Sequence, residues 1–306
     1  MVMRDFIYGK LDRGPIEFGS RRAEKEREVM KIARRNVVTV PPTINIKGAA
    51  ETMLEYNVRR LPIVQPGTSA IKGIVITRDI IDFLGGGESY NLIMQKHKGN
   101  FLAAINESVR EIMSNDVIAI RDDYSVGATL NKLVEKGVGG FPILNKYDKV
   151  VGIVEEEDFV YNIAGVWSGI SVADTMTSDV ITITPGTTLK DTSRIMIKNY
   201  RRRLPVVSDG ELIGVISTFD IMDYFGSSLM LERMKTESAE DALSIRIQDI
   251  MNKTPITIAP DADIGQAVDL MKRSGIGFLP VVQEHDIRGV ITERDILLKL
   301  IEEEYA

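Results

Sequence analysis

Four aspartates recur at one place in the sequence pattern of this chain. Each follows a β-branched run that contains a glycine and begins a short segment with helical spacing: Asp79, Asp158, Asp220 and Asp295. The simplest interpretation is that such an aspartate accepts hydrogen bonds from backbone N–H groups and opposes the helix dipole. A helix N-terminus also attracts anions, and a carboxylate there can accept hydrogen bonds from the hydroxyl pair of a ribose. The aspartates are therefore candidates for holding a phosphorylated nucleoside.

The residue three places before each aspartate differs along the chain. Ser217 and Thr292 stand there for the last two aspartates, and their hydroxyl groups could reach a phosphate or a ribose. The first aspartate has Ile76 at this place, with Thr77 one position later. The second has Glu155, within the run "EEE", whose charges would repel a phosphate unless they point away or meet arginines.

Arginine pairs and glycines alternate in front of a recurring apolar phrase. The phrase reads "RRLPIV", "GGFPIL", "RRLPVV" and "GFLPVV", and the residues in question are Arg59, Arg60, Gly139, Gly140, Arg202, Arg203 and Gly277. Guanidinium groups bind phosphate in a bidentate manner, whereas glycines leave space. We expect a nucleoside to lie on the glycine side while its phosphates meet the arginines. The alternative is that the arginines form salt bridges with glutamates.

Each phrase belongs to a longer unit that occurs four times, in the order strand, helix, strand, strand, helix. The predicted first strands are "VVTV" (37–40), "VIAI" (117–120), "VITI" (180–183) and "PITI" (255–258). Helical spacing predicts one apolar face in each first helix, formed in the second copy by Val126, Thr129, Leu130, Leu133 and Val134. A methionine precedes the first predicted strand of every copy: Met30, Met113, Met176 and Met251.

One such unit is small for a stable core, so we expect the copies to pair. The predicted fold is α/β (mixed α+β), with four units paired into two modules that pack as a disc. The predicted domains are an N-terminal arm (1–27) and copies at 28–84, 109–165, 172–226 and 246–303, with copies 1 and 2 forming one module and copies 3 and 4 the other. Loops are predicted at 85–108 and 226–245.

The composition excludes several kinds of chemistry. The 306 residues include no cysteine, so the chain has no disulfide and no thiolate nucleophile or metal ligand. The histidines, His97 and His285, lack metal-ligand spacing, and His97 is expected in a solvated loop. Residues 155–157 are interpreted as an acidic surface turn, because no nucleophile or metal motif accompanies them. We therefore expect no catalytic residue, no metal and no cofactor.

The chain carries a mildly acidic net charge of −6, with a local basic segment at residues 20–35. The simplest interpretation of that segment is a solvated helix face. A nucleic-acid-binding regulator that uses it is the least favoured alternative, since such proteins show a clear basic excess. The start of the chain lacks the apolar stretch of a signal peptide, and no apolar run reaches the roughly 20 residues of a membrane span. A cytoplasmic location is expected.

The repeated residues resemble those of the cystathionine-β-synthase (CBS) domain family. Residues 180–221, "VITITPGTTLKDTSRIMIKNYRRRLPVVSDGELIGVISTFDI", resemble a complete family unit, and the resemblance covers nearly all of residues 28–300. Four units in one chain are similar to the γ subunits of AMP-activated protein kinases. The linker at 85–113, "GGGESYNLIMQKHKGNFLAAINESVREIM", is most similar to archaeal relatives of those subunits.

This resemblance implies Bateman modules, with adenosyl ligands held in clefts between paired units. It assigns the aspartates to ribose hydroxyls, Ser217 and Thr292 to phosphate or ribose, and the arginines to phosphate. The adenine end would be lined by threonines of the first strands, namely Thr39, Thr182 and Thr257, with Ala119 in the second copy. Ile76 and Glu155 depart from the family pattern and weaken phosphate binding in copies 1 and 2. Arginine pairs also replace the histidine and arginine of the γ subunit and stand in the opposite units of each pair.

Three functional hypotheses follow. The first is a non-catalytic sensor that binds AMP, ADP or ATP and signals to an unidentified partner protein. The second is a binder of another adenosyl ligand such as S-adenosylmethionine, whose sulfonium would suit the carboxylates of copy 2. The third is the nucleic-acid-binding regulator. Membrane binding is not expected, and the oligomeric state stays open.

Overall fold

The computed structural model describes residues 28–85, 87–233 and 238–305, so the predicted arm at 1–27 lies outside its described part. The helices are α1 (Val29–Ile32), α2 (Ile46–Glu55), α3 (Thr77–Gly85), α4 (Tyr90–His97), α5 (Phe101–Ile105), α6 (Val126–Lys136), α7 (Glu156–Val160), α8 (Leu189–Lys198), α9 (Thr218–Gly226), α10 (Ser228–Arg233), α11 (Ala239–Leu243), α12 (Ile264–Ser274) and α13 (Glu293–Tyr305). The strands are β1 (Arg60–Val64), β2 (Ile71–Ile76), β3 (Ile120–Arg121), β4 (Gly140–Leu144), β5 (Val150–Glu155), β6 (Arg203–Ser208), β7 (Glu211–Ser217), β8 (Phe278–Gln283) and β9 (Asp286–Thr292). Short 3₁₀ turns lie at Val109–Glu111, Tyr161–Ile163 and Ile247–Asp249. The predicted mixture of α and β structure is confirmed.

Each copy forms the predicted antiparallel hairpin between a helix before it and a helix after it. The third copy shows the arrangement, since α8 precedes the hairpin of β6 and β7, and α9 follows it. The hairpins share one register: Arg60 lies opposite Ile76, and Arg203 lies opposite Ser217. The residues before the second strand therefore stand beside the start of the last helix in every copy.

The predicted first strands are wrong in three of the four copies. Copies 1, 3 and 4 keep only single parallel bridges there, between Val40 and Ile63, Ile183 and Val206, and Ile258 and Val281. Copy 2 alone forms the two-residue strand β3 within the described chain, parallel to β4. Prolines at 41, 185 and 260 follow the bridges within two residues, and proline cannot donate to a ladder. Copy 2 has no proline at that place.

The predicted apolar helix faces are largely confirmed. In α6 the side chains of Val126, Thr129, Leu130 and Leu133 are buried. Val134 is 43% exposed, so its predicted burial is wrong. It lies eight residues after Val126 and therefore about 80° round the helix from it, at the edge of the apolar face.

The described chain divides into two compact units, neither of which is a continuous stretch. The 1–3 unit comprises residues 38–117 and 181–255 and contains copies 1 and 3. The 2–4 unit comprises residues up to 37, 118–180 and 256–306 and contains copies 2 and 4. The modules of copies 1 with 2 and 3 with 4, and the disc, stay predictions.

The core of the 1–3 unit is built from helices of both its copies. Helix α3 packs against α8, and α9 packs against α2 and α3. Gly85, the last residue of α3, lies so close to Ser193 of α8 that a Cβ atom at position 85 would overlap the Ser193 side chain. Glycine is thus required there for helix contact.

The segments predicted as loops contain helices of the same unit. Helices α4 and α5 follow copy 1, while α10 and α11 follow copy 3. The ring of Phe101 stacks on that of Phe225 with centroids 5.1 Å apart, and both rings are buried. The loop prediction was wrong because these segments bury apolar side chains, Ile93 among them, in the core of the unit.

The 2–4 unit has its own core, in which α7 packs against α13 and α12 packs against the turn at Tyr161–Ile163. Asp263, 2% exposed, accepts backbone N–H groups from Ser168, Gly169 and Gly265. These bonds fix the link between copies 2 and 3, on which Trp167 is 73% exposed.

The methionine before the first strand of each copy packs on a glycine of a different copy. A Cβ atom on these glycines would lie within 3.3 Å of the methionine side chain; the pairs are Met30 with Gly152, Met113 with Gly73, Met176 with Gly289, and Met251 with Gly214. Segments are thus exchanged between copies 1 and 2 and between copies 3 and 4. Glycine recurs in every third strand because the exchanged methionine needs that space.

Within the described residues, no helix combines the length and the apolar character that crossing a membrane requires.

Candidate functional site

The four aspartates occupy the third position of the last helix of each copy. One carboxylate oxygen, Oδ2, accepts the N–H of the residue three places earlier; the donors and distances are Ile76 to Asp79 at 2.8 Å, Glu155 to Asp158 at 2.7 Å, Ser217 to Asp220 at 2.7 Å and Thr292 to Asp295 at 2.8 Å. The predicted backbone capping is therefore present in all four copies. We call this place, with the residues before the second strand beside it, the aspartate corner.

The predicted hydroxyl groups lie at the aspartate corners of copies 3 and 4. Ser217 Oγ donates to Asp220 Oδ2 at 2.6 Å, and Thr292 Oγ1 donates to Asp295 Oδ2 at 2.6 Å. Each hydroxyl also accepts the N–H of its aspartate at 3.3 Å. The hydroxyls thus hold the carboxylate in place, a role that sequence reasoning had not assigned to them.

The second carboxylate oxygen, Oδ1, distinguishes the copies. In copy 4 the Asp295 Oδ1 atom accepts from Thr177 Oγ1 at 3.2 Å. In copy 2 the Asp158 Oδ1 atom lies 3.5 Å from Arg34 Nε. Among the described residues, no hydrogen-bond donor reaches the Oδ1 atoms of Asp79 and Asp220. The carboxylates of the 1–3 unit therefore keep an oxygen that accepts no donor from the described residues and that could accept a ribose hydroxyl.

Burial shifts the ionisation of these carboxylates. Desolvation raises the pKa of Asp79 to about 6, although the N–H of Ile76 and the charge of Arg78 oppose the shift. Desolvation also raises the pKa of Asp220, against the hydrogen bonds of Ser217 and the charge of Arg203. A carboxylate that is kept despite such a cost is typical of a functional site.

The arginine pairs lie at the aspartate corners of the 1–3 unit. The carbonyl oxygen of Arg59 accepts the N–H of Thr77 at 3.0 Å, and the carbonyl oxygen of Arg202 accepts the N–H of Thr218 at 2.9 Å. The four arginines are half-buried, and each has a partner within the chain. Their assignment to phosphate stays a prediction.

The predicted open space beside the glycines is occupied by protein. A Cβ atom on Gly277 would overlap the Glu293 carboxylate, which is 1% exposed. A Cβ atom on Gly140 would lie 2.6 Å from the Val154 carbonyl oxygen. The carbonyl oxygen of Gly139 accepts the N–H of Glu156 at 3.2 Å. The glycines thus admit neighbouring side chains and strands, and their contact with a nucleoside stays a prediction.

The candidate threonines differ in accessibility. Thr39 and Thr257 are exposed and Thr182 is half-buried, each one residue before the parallel bridge of its copy. Thr77 is 2% exposed, so its hydroxyl would reach a ligand only if the start of α3 moved.

The acidic surface turn predicted at residues 155–157 is wrong. Glu155 and Glu156 are 5% and 4% exposed. Arg34 binds Glu155 and Glu157, and Arg294 lies 3.4 Å from Glu156. The sequence indicated that arginines could neutralise this run, but it could not identify Arg34, which is 121 residues away from Glu155.

The basic segment at 20–35 and His97 were both expected to be solvated. In the described part of the segment the apolar residues Val29 and Met30 are buried, whereas the basic residues Lys31 and Arg35 are exposed, and residues 20–27 lie outside the described part. The side chain of His97 is 12% exposed, and its Nε2 atom lies 3.2 Å from Glu107 Oε1. The described residues contain no cluster of three or more possible metal ligands.

The repeated unit and its aspartate corner define the class of protein. The sequence profile of the CBS domain matches residues 28–86, 109–165, 172–227 and 247–302. The chain belongs to the CBS domain family, and the predicted fold of four CBS units is confirmed.

The chain is similar along most of its length to protein MJ1225 of Methanocaldococcus jannaschii. The two are 40% identical over 272 residues, which cover 88% of this chain and 97% of MJ1225. The crystal structure of MJ1225, presented as a proposed archaeal homologue of γ-AMPK, matches with a TM-score of 0.84 at 39% identity and covers 91% of this chain and 100% of that one. CBS domains are in general regulatory, and the predicted resemblance to archaeal relatives of the γ subunit is confirmed.

One further relative and one solved structure extend this similarity. A 33.4 kDa protein in the ribosomal RNA operon of Thermofilum pendens is 30% identical over 264 residues, 86% of this chain and 88% of its own. A conserved protein of Pyrococcus horikoshii shares the fold, with a TM-score of 0.56 at 19% identity over 89% of this chain and 99% of its own.

Proposed function

We propose that this protein is a non-catalytic regulator that binds AMP, ADP or ATP at its aspartate corners and transmits the binding to a partner protein. Similarity to MJ1225, described as a γ-AMPK homologue, supports the ligand class. The CBS family supports the regulatory role. Neither comparison identifies the partner protein. We define it only as a protein that binds the ligand-bound and the ligand-free states with different affinity.

The observation that carries the proposal is the state of the carboxylates in the 1–3 unit. Asp79 and Asp220 each use one oxygen on a backbone N–H and keep the other available. The guanidinium-bearing residues Arg60 and Arg203 stand in register with the donors of those N–H groups. An acceptor beside cationic side chains suits a ligand that has a hydroxyl pair at one end and phosphate at the other.

Regulation requires that the ligand bind two states of the protein with different affinity. A nucleotide that orders the starts of α3 and α9 favours the conformation in which those helices are packed. A partner that contacts that conformation better would then bind more tightly when nucleotide is present, and the nucleotide would gain affinity equally from the partner.

Titration calorimetry with AMP, ADP and ATP tests this function. We expect saturable heat with at least one nucleotide, and loss of about 1–3 kcal/mol of binding free energy in Asp220→Asn, because a neutral amide accepts ribose hydroxyls less strongly than a carboxylate. Asp116→Asn is the matched control, since Asp116 is exposed in the same unit. Absence of heat with all three nucleotides would reject the proposal.

S-adenosylmethionine stays the second candidate ligand. The carboxylates of copy 2 motivated it, and of these Glu155 and Glu157 bind Arg34 while Glu156 lies beside Arg294. Competition between S-adenosylmethionine and AMP in the same calorimeter distinguishes the two ligands.

A further inference from the structure

The aspartate corner of copy 2 receives a residue unlike those of the other corners. In each copy an exchanged segment forms a two-way backbone bridge with the third strand; the bridging residues are Arg34 with Ile153, Ser114 with Ile74, Thr177 with Val290, and Asn252 with Val215. Three of these incoming residues are small and polar. Only copy 2, within the described chain, receives a long cation.

The Arg34 guanidinium is surrounded by carboxylates of copy 2. Its Nη2 atom binds Glu155 Oε2, its Nη1 atom lies 2.7 Å from Glu157 Oε1, and its Nε atom lies 3.5 Å from Asp158 Oδ1. The side chains of the three acids are 6%, 16% and 11% exposed, whereas that of Arg34 is 38% exposed. One cation thus pairs with three largely buried acids of copy 2 at once and offsets part of the cost of burying their charges.

Copy 2 has a second cation beside the residue that precedes its first strand, β3. Lys132 Nζ donates to the carbonyl oxygen of Ala119 at 2.9 Å and lies 5.7 Å from the Phe141 ring. Ala119 stands where the other copies carry their candidate adenine-contacting threonines. Copy 2 therefore differs from the other copies at the candidate adenine position as well as at Arg34.

We propose that the Arg34 guanidinium occupies the aspartate corner of copy 2, where it fastens the start of copy 1 to copy 2 and closes this corner to anionic ligands. This inference rests on the proposed function in one respect, namely that the anionic ligands excluded from the corner are nucleotides. Arg34 acts here as a specificity-determining and fastening residue, and nucleotide binding is left to the other corners.

The ionisation of the cluster agrees with this role. Desolvation lowers the pKa of Arg34, but the charges of Glu155, Asp158 and Glu157 outweigh it and raise that pKa, so Arg34 stays cationic. Desolvation raises the pKa of Asp158 to about 7, against the attraction of Arg34, and the charges of Glu157 and Glu155 add to the shift. Arg294 of α13 faces Glu156, the remaining acid of α7. As the pH falls through about 7, Asp158 takes up a proton and its attraction for Arg34 is lost.

Thermal unfolding of Arg34→Ala tests the fastening. At pH 8 we expect the midpoint to fall by about 3–8 °C, and by less at pH 6, because fewer carboxylates are then charged. Arg35→Ala is the matched control, since Arg35 is exposed and adjacent. Methylguanidinium chloride should restore part of the loss in Arg34→Ala relative to sodium chloride of equal ionic strength. A midpoint for Arg34→Ala equal to that of Arg35→Ala would overturn the proposal.

Counting bound nucleotides by native mass spectrometry tests the closure. Arg34→Ala should bind as many nucleotides as the wild type, with affinity changed less than about threefold, because the carboxylates left at the corner repel phosphate. A phosphate-binding arginine would instead lose about tenfold or more. Loss of one nucleotide in Arg34→Ala would overturn the proposal. If the wild type binds no nucleotide, the proposed function fails, and the unfolding experiment alone decides the role of Arg34.

A milder variant covers the case in which Arg34→Ala does not fold. Arg34→Lys keeps the charge but not the fork that contacts Glu155 and Glu157 together, so an intermediate fall of the midpoint at pH 8 is expected. If neither Arg34→Lys nor Glu157→Gln lowers the midpoint of thermal unfolding at pH 8, the two results together would contradict the fastening role of Arg34.

Discussion

At the scale of single residues, the aspartates combine a structural and a binding role in one carboxylate. One oxygen accepts the backbone N–H that starts the helix, and in Asp79 and Asp220 the other oxygen has no donor within the described protein. Asparagine could accept the same N–H without the desolvation that raises the pKa of Asp79. A charged side chain at this place is therefore better explained by a ligand than by stability.

The pH dependence of the Asp79→Asn variant tests this explanation. The pKa of Asp79 in the folded protein, about 6, exceeds the unfolded value of 3.8, so its cost to stability is absent below about pH 4, grows between pH 4 and 6, and is complete above that. We expect Asp79→Asn to be more stable than the wild type by about 1–2 kcal/mol at pH 8, with no advantage near pH 4. Thermal unfolding at both pH values measures the difference.

The same variant should bind nucleotide more weakly while folding more stably. Asp116→Asn serves as the control, because its exposed carboxylate bears no burial cost. A destabilised Asp79→Asn at pH 8 would contradict the interpretation, since it would mean that the carboxylate is retained for capping alone.

At the scale of elements, the contact between α3 and α8 depends on Gly85, whereas the equivalent glycine of copy 3, Gly226, makes no such contact. Gly85 ends α3 against Ser193, whereas Gly226 ends α9 with no atom within 4 Å of a Cβ atom built there. Both glycines end the last helix of their copy. Substituting each of the two glycines by alanine therefore distinguishes the effect of packing from that of helix propensity.

We expect Gly85→Ala to lower the midpoint of thermal unfolding, with a loss of about 1–3 kcal/mol, because the new methyl group overpacks the contact with α8. Gly226→Ala should leave the midpoint unchanged or raise it slightly, since alanine is the better helix former. Equal midpoints for the two variants would show that α8 moves aside without cost.

At the scale of the whole molecule, two compact units each combine copies that are not neighbours in sequence. Exchanged segments, each with a methionine packed on a glycine, link copy 1 with copy 2 and copy 3 with copy 4 along the chain.

A nucleotide that binds only the folded chain at the aspartate corners should stabilise it. Ligand at 100 times its Kd contributes about 2.7 kcal/mol, which corresponds to a rise of a few degrees in the unfolding midpoint. The Asp79→Asn, Asp220→Asn double variant should lose most of this rise. Tripolyphosphate, which has charge but no ribose, should give a smaller rise than ATP in the wild type; an equal rise would show that the arginines alone bind.

Much of the fold and of the candidate site follows from local pattern. The fourfold repeat, the apolar faces of α2, α6, α8 and α12, and the aspartates at the helix starts are set by spacing and by side-chain chemistry. The prediction of the first strands was wrong because the prolines after them interrupt the hydrogen-bond ladder. This local signal was given less weight than the β-branched runs. The linker helices failed because their stability comes from burial against a distant copy.

The sequence by itself determined that four equivalent units exist and that each presents a carboxylate where a helix begins, since both depend on contacts within a few residues. Only the tertiary structure decided what each carboxylate meets. Arg34 reaches Glu155 across 121 residues, and Glu293 fills the space beside Gly277, through chain exchange and packing that no local spacing encodes. Charge pairing in a buried place depends on which segments the fold brings together, because desolvation makes any unpaired partner costly there.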